Sequence, residues 1–511
     1  MTPRTVGPTT DASLTALLQA SPDRIDEAFL RLAGELWKDG EATEEALPSV
    51  PALVAALAVA DGSRQGHLAL LLGLLAETEH TAAEQPLTEA VRAGLDRYLP
   101  LLTDSAAGGP LQLGALYLLS HLGGDRERIL AAAAGTELTP DDRTRLERCL
   151  QPLDPQDVVL GRVWPSPHEW QLNADEVAFD QGWIQNLSPE ALAATWASDT
   201  RSVFAYTGAK ALWALRNGTP TVVHDTSVHA GARPADPPAP RIEEFSRFSD
   251  VLRCPGCRGG LSYEAEGAAC TVCDRSYPLP NGVLDLSAGA GDNHGESDVL
   301  QNAAAMRGIG FHYENVLRPA FLRVMGQNWG GQVTPTDEDA YLAEHLAPAD
   351  GPVLDVAAGA GRWTAVVAQT TGADNVLALD LIAPMLAGLR ARLPEIATLR
   401  ASALALPVAD GSLAAVNCWN ALQALPDAGA AIDEIGRALR PGGRLTLLTF
   451  RWGSDPLYRY FQGSHAFPGS PDGIKLFEAE QIRTWLNGAG LSIVEESGPG
   501  TFVLITAEKQ A

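Results

Sequence analysis

The sequence predicts a multidomain chain with three architectures in series: an α-helical N-terminal domain, a small metal-bearing ribbon, and a C-terminal α/β domain with a Rossmann-like, seven-stranded, mostly parallel sheet. Three observations carry this. Residues 11–150 are rich in Ala and Leu, with apolar side chains recurring at helical spacing. Four of the six cysteines lie between positions 254 and 273. From position 353 onward, apolar strands alternate with helical segments, and the first strand ends in a glycine-rich turn.

The composition supports several folded cores. The chain has 511 residues, 46% of them hydrophobic and 20% charged, which excludes disordered and fibrous classes. Lys and Arg total 37 against 63 Asp and Glu, a formal charge of −26. A field of that sign repels phosphate backbones and anionic lipid, so nucleic acid is disfavoured as a partner. The longest apolar stretches, 68–76 and 111–119, fall well short of the ~20 residues that span a bilayer. The N-terminus lacks the apolar core of a signal peptide, and the expected location is cytoplasmic, with no membrane partner.

The first helix follows the start signal Ser21-Pro22-Asp23 and presents Ile25, Phe29, Leu32 and Leu36 on one face. Further helices are predicted at 51–60, 64–78, 86–102, 110–122 and 139–150. The segments 66–77 (GHLALLLGLLAE) and 111–122 (LQLGALYLLSHL) resemble each other at a spacing of 45 residues. That falls in the roughly 40–47-residue period of paired-helix solenoids, so residues 1–150 read either as a short HEAT-like array or as an irregular bundle. An array of this kind would serve a protein partner or self-association.

Residues 151–245 form a Trp-rich segment and linker. The segment holds five of the eleven tryptophans: Trp164, Trp170, Trp183, Trp196 and Trp213. They either pack it onto the helical domain or line a ligand pocket, packing being the stronger reading. Positions 231–241, with four prolines in eleven residues, read as an extended linker and a domain boundary.

Residues 246–290 contain Cys254, Cys257, Cys270 and Cys273, two C-x2-C pairs separated by twelve residues. Each pair turns two thiolates to one side of a tight knuckle, and two knuckles supply the four sulfur ligands that tetrahedral Zn2+ prefers. A site closed by four sulfurs has no open position for substrate, so the metal is expected to be structural.

In the C-terminal unit, residues 353–358 (VLDVAA) predict a buried strand, 359–362 (GAGR) a glycine turn, and 375–380 (NVLALD) a second strand. Asp380 follows Gly361 by nineteen positions, the layout of a nucleotide site in a doubly wound sheet, with the acid placed for ribose hydroxyls. The acid of the first strand, Asp355, would accept the ammonium of a methionine moiety and repel a pyrophosphate.

With these motifs in order, residues 300–511 resemble the class I S-adenosylmethionine-dependent methyltransferases. LDVAAGAG is similar to their first motif, and Asp380 with LIAPML to their second. Residues 401–416 and 433–450 are similar to the third region and to the fifth strand with its glycine turn. The segment 478–509 is similar to the closing helix and antiparallel edge strands. With the ribbon and its YPLPNGVLDL run (277–286), the stretch from about 250 to 509 resembles the quinone-type, UbiE-like small-molecule methyltransferases that carry an N-terminal zinc ribbon. Residues 1–249 lie outside the resemblance.

The resemblance implies S-adenosyl-L-methionine as cofactor and methyl transfer to a small-molecule acceptor in natural-product or cofactor biosynthesis. Two alternatives are RNA methylation aided by the ribbon, and a non-methylating binding or cyclisation scaffold. Carried over by position, Asp355 would hold the methionine amine, Gly359 and Gly361 would line its backbone, and Ala357 stands for the first motif glycine. Asp380 would hold the ribose and Leu381 would pack on adenine. Ser402 and Ala403 occupy the adenine edge, Ser402 standing where an Asp is usual. Asn420 would face cofactor and substrate, and Gln423 sits where a His is common. Tyr313, in the lead-in segment 306–326, would cap the methionine end. His465 in the run FQGSHAFPG is the first candidate for a general base, with Tyr313 and His312 also candidates; the alternative is that His465 is merely solvated in a glycine-rich loop.

Overall fold

The computed structural model describes residues 8–156, 172–226, 239, 241–287, 302, 304–346, 350–467, 470 and 473–511. Trp164, Trp170 and most of the proline-rich run 231–241 lie outside them. The chain divides into two compact units, one comprising 1–164, 188–222 and 453–466, the other 165–187, 223–452 and 467–511. The sequence-based boundaries are 1–150 for the helical domain, 151–245 for the Trp-rich segment and linker, 246–290 for the ribbon and 300–511 for the α/β domain.

Among the described residues the first unit is helical, apart from a short hairpin pairing Trp37–Lys38 with Glu41–Ala42. Ile25–Leu36 buries the expected face of Ile25, Phe29, Leu32 and Leu36. The similar segments fall on Gly62–Glu77 and Pro110–Ser120. These two helices pack directly on each other at their glycines: a Cβ added at Gly114 would lie 2.8 Å from the Gly66 carbonyl oxygen. The expected helix 86–102 is broken in two at Ala93-Gly94, into Pro86–Arg92 and Leu95–Thr103.

Pro189–Asn217, in the first unit, is a single 29-residue helix started by a Ser188 cap. Its middle is apolar on more than one face, with Val203, Phe204, Ala205, Tyr206, Ala209, Ala211 and Leu212 all buried, so it forms the interior of the unit. Trp196 and Trp213 lie on it, and the Arg148 guanidinium stacks 3.4 Å over the Trp196 ring. Segment 453–466 joins the same core through Phe461, whose ring would lie 2.3 Å from a Cβ at Gly208.

The second unit holds a three-stranded ribbon of β1 (Leu261–Glu264), β2 (Gly267–Cys270) and β3 (Ser276–Pro278), all antiparallel. It also holds a sheet of β4 (Val283–Asp285), β5 (Val353–Val356), β6 (Val376–Asp380), β7 (Ala397–Arg400), β8 (Leu413–Trp419), β9 (Leu439–Phe450), β10 (Leu491–Ser497) and β11 (Phe502–Lys509). The sheet order is β10-β11-β9-β8-β5-β6-β7-β4, with β11 antiparallel to β9 and β10 and every other pair parallel.

The seven expected strands are therefore eight. The extra strand is β4, the end of the YPLPNGVLDL run, which pairs parallel with β7 from Val283↔Thr398 to Asp285↔Arg400. Its apolar Val283 and Leu284 cover what would otherwise be an open edge. The strands β5, β6 and β8 are buried at every position, as parallel strands covered on both faces require.

Candidate cofactor and metal sites

The four ribbon cysteines converge. Their sulfurs all lie within 4.8 Å of one another. Cys257 is 3.4 Å from Cys270 and 3.5 Å from Cys273, and Cys254 is 3.8 Å from Cys273. Zinc–sulfur bonds of ~2.3 Å give a tetrahedral edge of about 3.8 Å, so these separations fit the ion. The backbone N–H groups of Val272 and Cys273 point at the Cys270 sulfur, each at 3.4 Å, and so stabilise a thiolate there.

The candidate cofactor-site residues gather at the C-terminal ends of β5, β6 and β8. After β5 the chain takes left-handed conformations at Ala357 (φ 56°), Gly359 (φ 56°) and Gly361 (φ 88°). At Gly361 glycine is also required by packing, because a Cβ would lie 2.9 Å from Leu389 Cγ. At Gly359 a Cβ would meet nothing within 4 Å, so the turn presents bare backbone to open space, as a closely bound ligand requires.

Asp380 ends β6 and ties the turn down. Its carboxylate accepts the Gly359 N–H at 2.8 Å and the Ile382 N–H at 2.9 Å, while burial pushes its pKa up. Leu381 follows, half-buried. Ala401 N–H bonds to the Asp380 carbonyl at 3.1 Å and starts the loop carrying Ser402 and Ala403. The Ser402 hydroxyl accepts the Leu404 N–H at 3.2 Å, which shapes that loop.

Asp355, on β5, is buried. It accepts hydrogen bonds from Thr364 Oγ1 at 2.6 Å and Asn417 Nδ2 at 2.8 Å, and burial raises its pKa to about 6. Each oxygen is thus engaged once and keeps a lone pair. Asn420, just past β8, is also left-handed (φ 58°); its Nδ2 donates to Tyr313 Oη at 2.8 Å and its Oδ1 accepts from Gln423 at 3.2 Å. Tyr313 opens a π-helical turn, Tyr313–Leu317, a geometry found often at functional sites. The structure therefore brings Tyr313, Asp355, Ala357, Gly359, Gly361, Asp380, Leu381, Ser402, Ala403 and Asn420 into one unit.

His465 is not among them. It belongs to the helical unit and is fully buried there, with Nδ1 2.7 Å from the Phe461 carbonyl oxygen. Burial drives its pKa down to about 3, so the ring stays neutral at every ordinary pH. Neither the reading of His465 as a general base nor that of a solvated loop histidine anticipates this burial within the helical unit. His312 is likewise buried, with Nε2 3.4 Å from Glu176.

Sequence reasoning missed Thr364 and Asn417, the partners of Asp355. It also missed the buried pair Arg318–Glu338, whose Glu338 accepts the Trp419 indole N–H at 2.7 Å. An asparagine inside the otherwise apolar AAVNCW strand was the available signal, since a buried amide must find partners.

Known proteins resemble parts of this chain. The family described as a methyltransferase domain matches residues 353–443. The uncharacterized methyltransferase At1g78140, chloroplastic, of Arabidopsis thaliana is 28% identical over 224 residues, 39% of this chain and 61% of that protein. The demethylmenaquinone methyltransferase of Thermus thermophilus is 32% identical over 170 residues, 29% of this chain and 77% of that protein. The crystal structure of geranyl diphosphate C-methyltransferase from Streptomyces coelicolor A3(2) aligns at 16% identity and a TM-score of 0.30, covering 38% of this chain and 84% of that one. The chain belongs to the class I S-adenosylmethionine-dependent methyltransferases, in their UbiE-like family. Among the described residues no helix is long and apolar enough to cross a membrane.

Proposed function

We infer that the protein transfers a methyl group from S-adenosyl-L-methionine to a small-molecule acceptor, in the biosynthesis of a natural product or cofactor. The observation that carries this is the Asp380–Gly359 bond beside an open glycine backbone, with Asn420 and Tyr313 on the same unit. A likeness to a relative named demethylmenaquinone methyltransferase supports a small-molecule acceptor. The charge of −26 weighs against RNA.

When bound, the cofactor supplies an electrophilic methyl carbon for in-line displacement. The chain's own residues have to bind, orient and exclude water. Asp380 accepts the ribose hydroxyls, Leu381 and Ala403 pack on the base, and Ser402 reads its edge. Asp355 holds Thr364 and Asn417 beneath the turn and offers its remaining lone pairs to the methionine amine. Because the Tyr313 oxygen accepts from Asn420, its own proton is directed away from Asn420, placing a donor at the methionine and acceptor end. The four cysteines hold Zn2+ as a structural ion.

Calorimetric titration with S-adenosylhomocysteine tests the reading. Binding at one site per chain, lost in Asp380→Ala, is expected. Binding unaffected by that substitution would overturn the assignment of Asp380.

A further inference from the structure

We propose that the cysteine ribbon sets the cofactor affinity of the sheet beside it, with Arg258 as the positioning residue that holds the adenine-edge loop. The inference rests on the cofactor reading above. Arg258 directly follows Cys257, takes a left-handed conformation (φ 63°), and closes the first knuckle by donating its N–H to the Cys254 carbonyl at 2.8 Å. Its guanidinium leaves the ribbon. Nη1 lies 3.0 Å from the Leu406 carbonyl oxygen and 3.3 Å from that of Val408, and Nη2 lies 3.4 Å from Glu434.

The backbone on the other side of the knuckle reaches the same loop. Arg253 N–H donates to the Pro407 carbonyl at 2.8 Å, Ala409 N–H donates to the Val251 carbonyl at 2.8 Å, and Leu252 forms an antiparallel bridge with Val408. Glu434 completes the clamp by accepting the Leu406 N–H at 2.8 Å. Arg437 donates to the same two carbonyls from the opposite side.

Loop 401–409 buries Ala401, Ala403, Leu406 and Val408 in the core and is bonded at both ends. At its start Ala401 bonds to the Asp380 carbonyl, and at its end residues 406–409 hang on the knuckle. Ser402 and Ala403, which border the base, lie between. A nine-residue loop without its far support would have to be ordered when the ligand binds, and that entropy is subtracted from affinity. A bound metal would brace the knuckle that carries Arg258, and Arg258 shares the Leu406 and Val408 carbonyls with Arg437, so metal occupancy would tune binding of the nucleoside.

The test compares S-adenosylhomocysteine with S-inosylhomocysteine, which lacks the exocyclic amine, by calorimetry on full-length protein with metal content measured in parallel. Arg258→Ala is expected to keep about one metal per chain, weaken S-adenosylhomocysteine roughly five- to tenfold, and shrink the preference for it over the inosine analogue. Arg258→Lys should recover part of both effects, because an ammonium reaches one of the two carbonyls. Stripping the wild type with a chelator should weaken binding, and Zn2+ should restore it. Arg258→Ala with full metal, unchanged affinity and unchanged base preference would overturn the proposal while leaving the cofactor reading intact. Wild-type protein that fails to bind S-adenosylhomocysteine would overturn the cofactor reading, and this inference with it.

Discussion

The Asn417 side-chain amide donates to the Asp355 carboxylate at 2.8 Å, reaching from one parallel strand to its neighbour beneath the glycine turn. Its orientation is fixed from the other end, because Thr446 Oγ1 donates to Asn417 Oδ1 at 2.9 Å. A buried acid is thus held by a two-step chain across three strands, and the turn above inherits that rigidity.

Asn417→Leu should break the chain. One Asp355 oxygen and the Thr446 hydroxyl would be left buried without their partner, at a cost of about 1–3 kcal/mol. Urea unfolding should show a lower midpoint with unchanged slope, and S-adenosylhomocysteine affinity should fall because the turn loses its support. An unchanged midpoint would separate Asp355 from this network.

The metal assignment leads to a stoichiometry. Elemental analysis should find about one zinc per chain, and the double substitution Cys254→Ser/Cys257→Ser should remove most of it. Metal content that is indifferent to those substitutions would reject the ribbon site.

In the helical unit, Glu77 is buried and accepts hydrogen bonds from the Tyr117 and Tyr460 hydroxyls, the latter at 2.8 Å. Burial raises its pKa to about 7, above the ~4.3 of an unfolded chain. A carboxyl whose pKa is raised by folding stabilises the fold fully below its unfolded value and loses that contribution as pH rises through its folded one. Between pH ~4.5 and ~7 the wild type should therefore lose up to on the order of 3 kcal/mol relative to Glu77→Gln. Thermal unfolding of both proteins across that range checks it, and parallel curves would contradict it.

His465→Ala should behave as a core deletion. It should lower the melting temperature, at about 1–3 kcal/mol, and leave S-adenosylhomocysteine affinity unchanged. A variant of native stability that fails to bind the ligand would restore His465 to the site.

Much of the α/β unit was legible because its chemistry is local. Spacing alone placed β5, the glycine turn, β6 and Asp380, and the two C-x2-C pairs singled out the four cysteines whose sulfurs converge. The sequence was less legible where meaning depends on tertiary partners. His465 sits in a glycine-flanked run that reads as an exposed loop, yet Phe461 carries it into a helical core. The 29-residue helix Pro189–Asn217 was unreadable because apolar residues surround its middle and erase the periodicity. β4 was too short to distinguish from the end of the ribbon, and only pairing with β7 makes it a strand. Thr364 and Asn417 were hidden because a satisfied polar residue inside an apolar segment is identified only by its partners.

The most direct test of the central claim is titration of the wild type and Asp380→Ala with S-adenosylhomocysteine under identical conditions. The account predicts saturable binding to the wild type at one site per chain, and at least a tenfold loss when the carboxylate that joins Gly359 to the ribose position is removed. A wild type that does not bind, or two proteins that bind equally well, would contradict it.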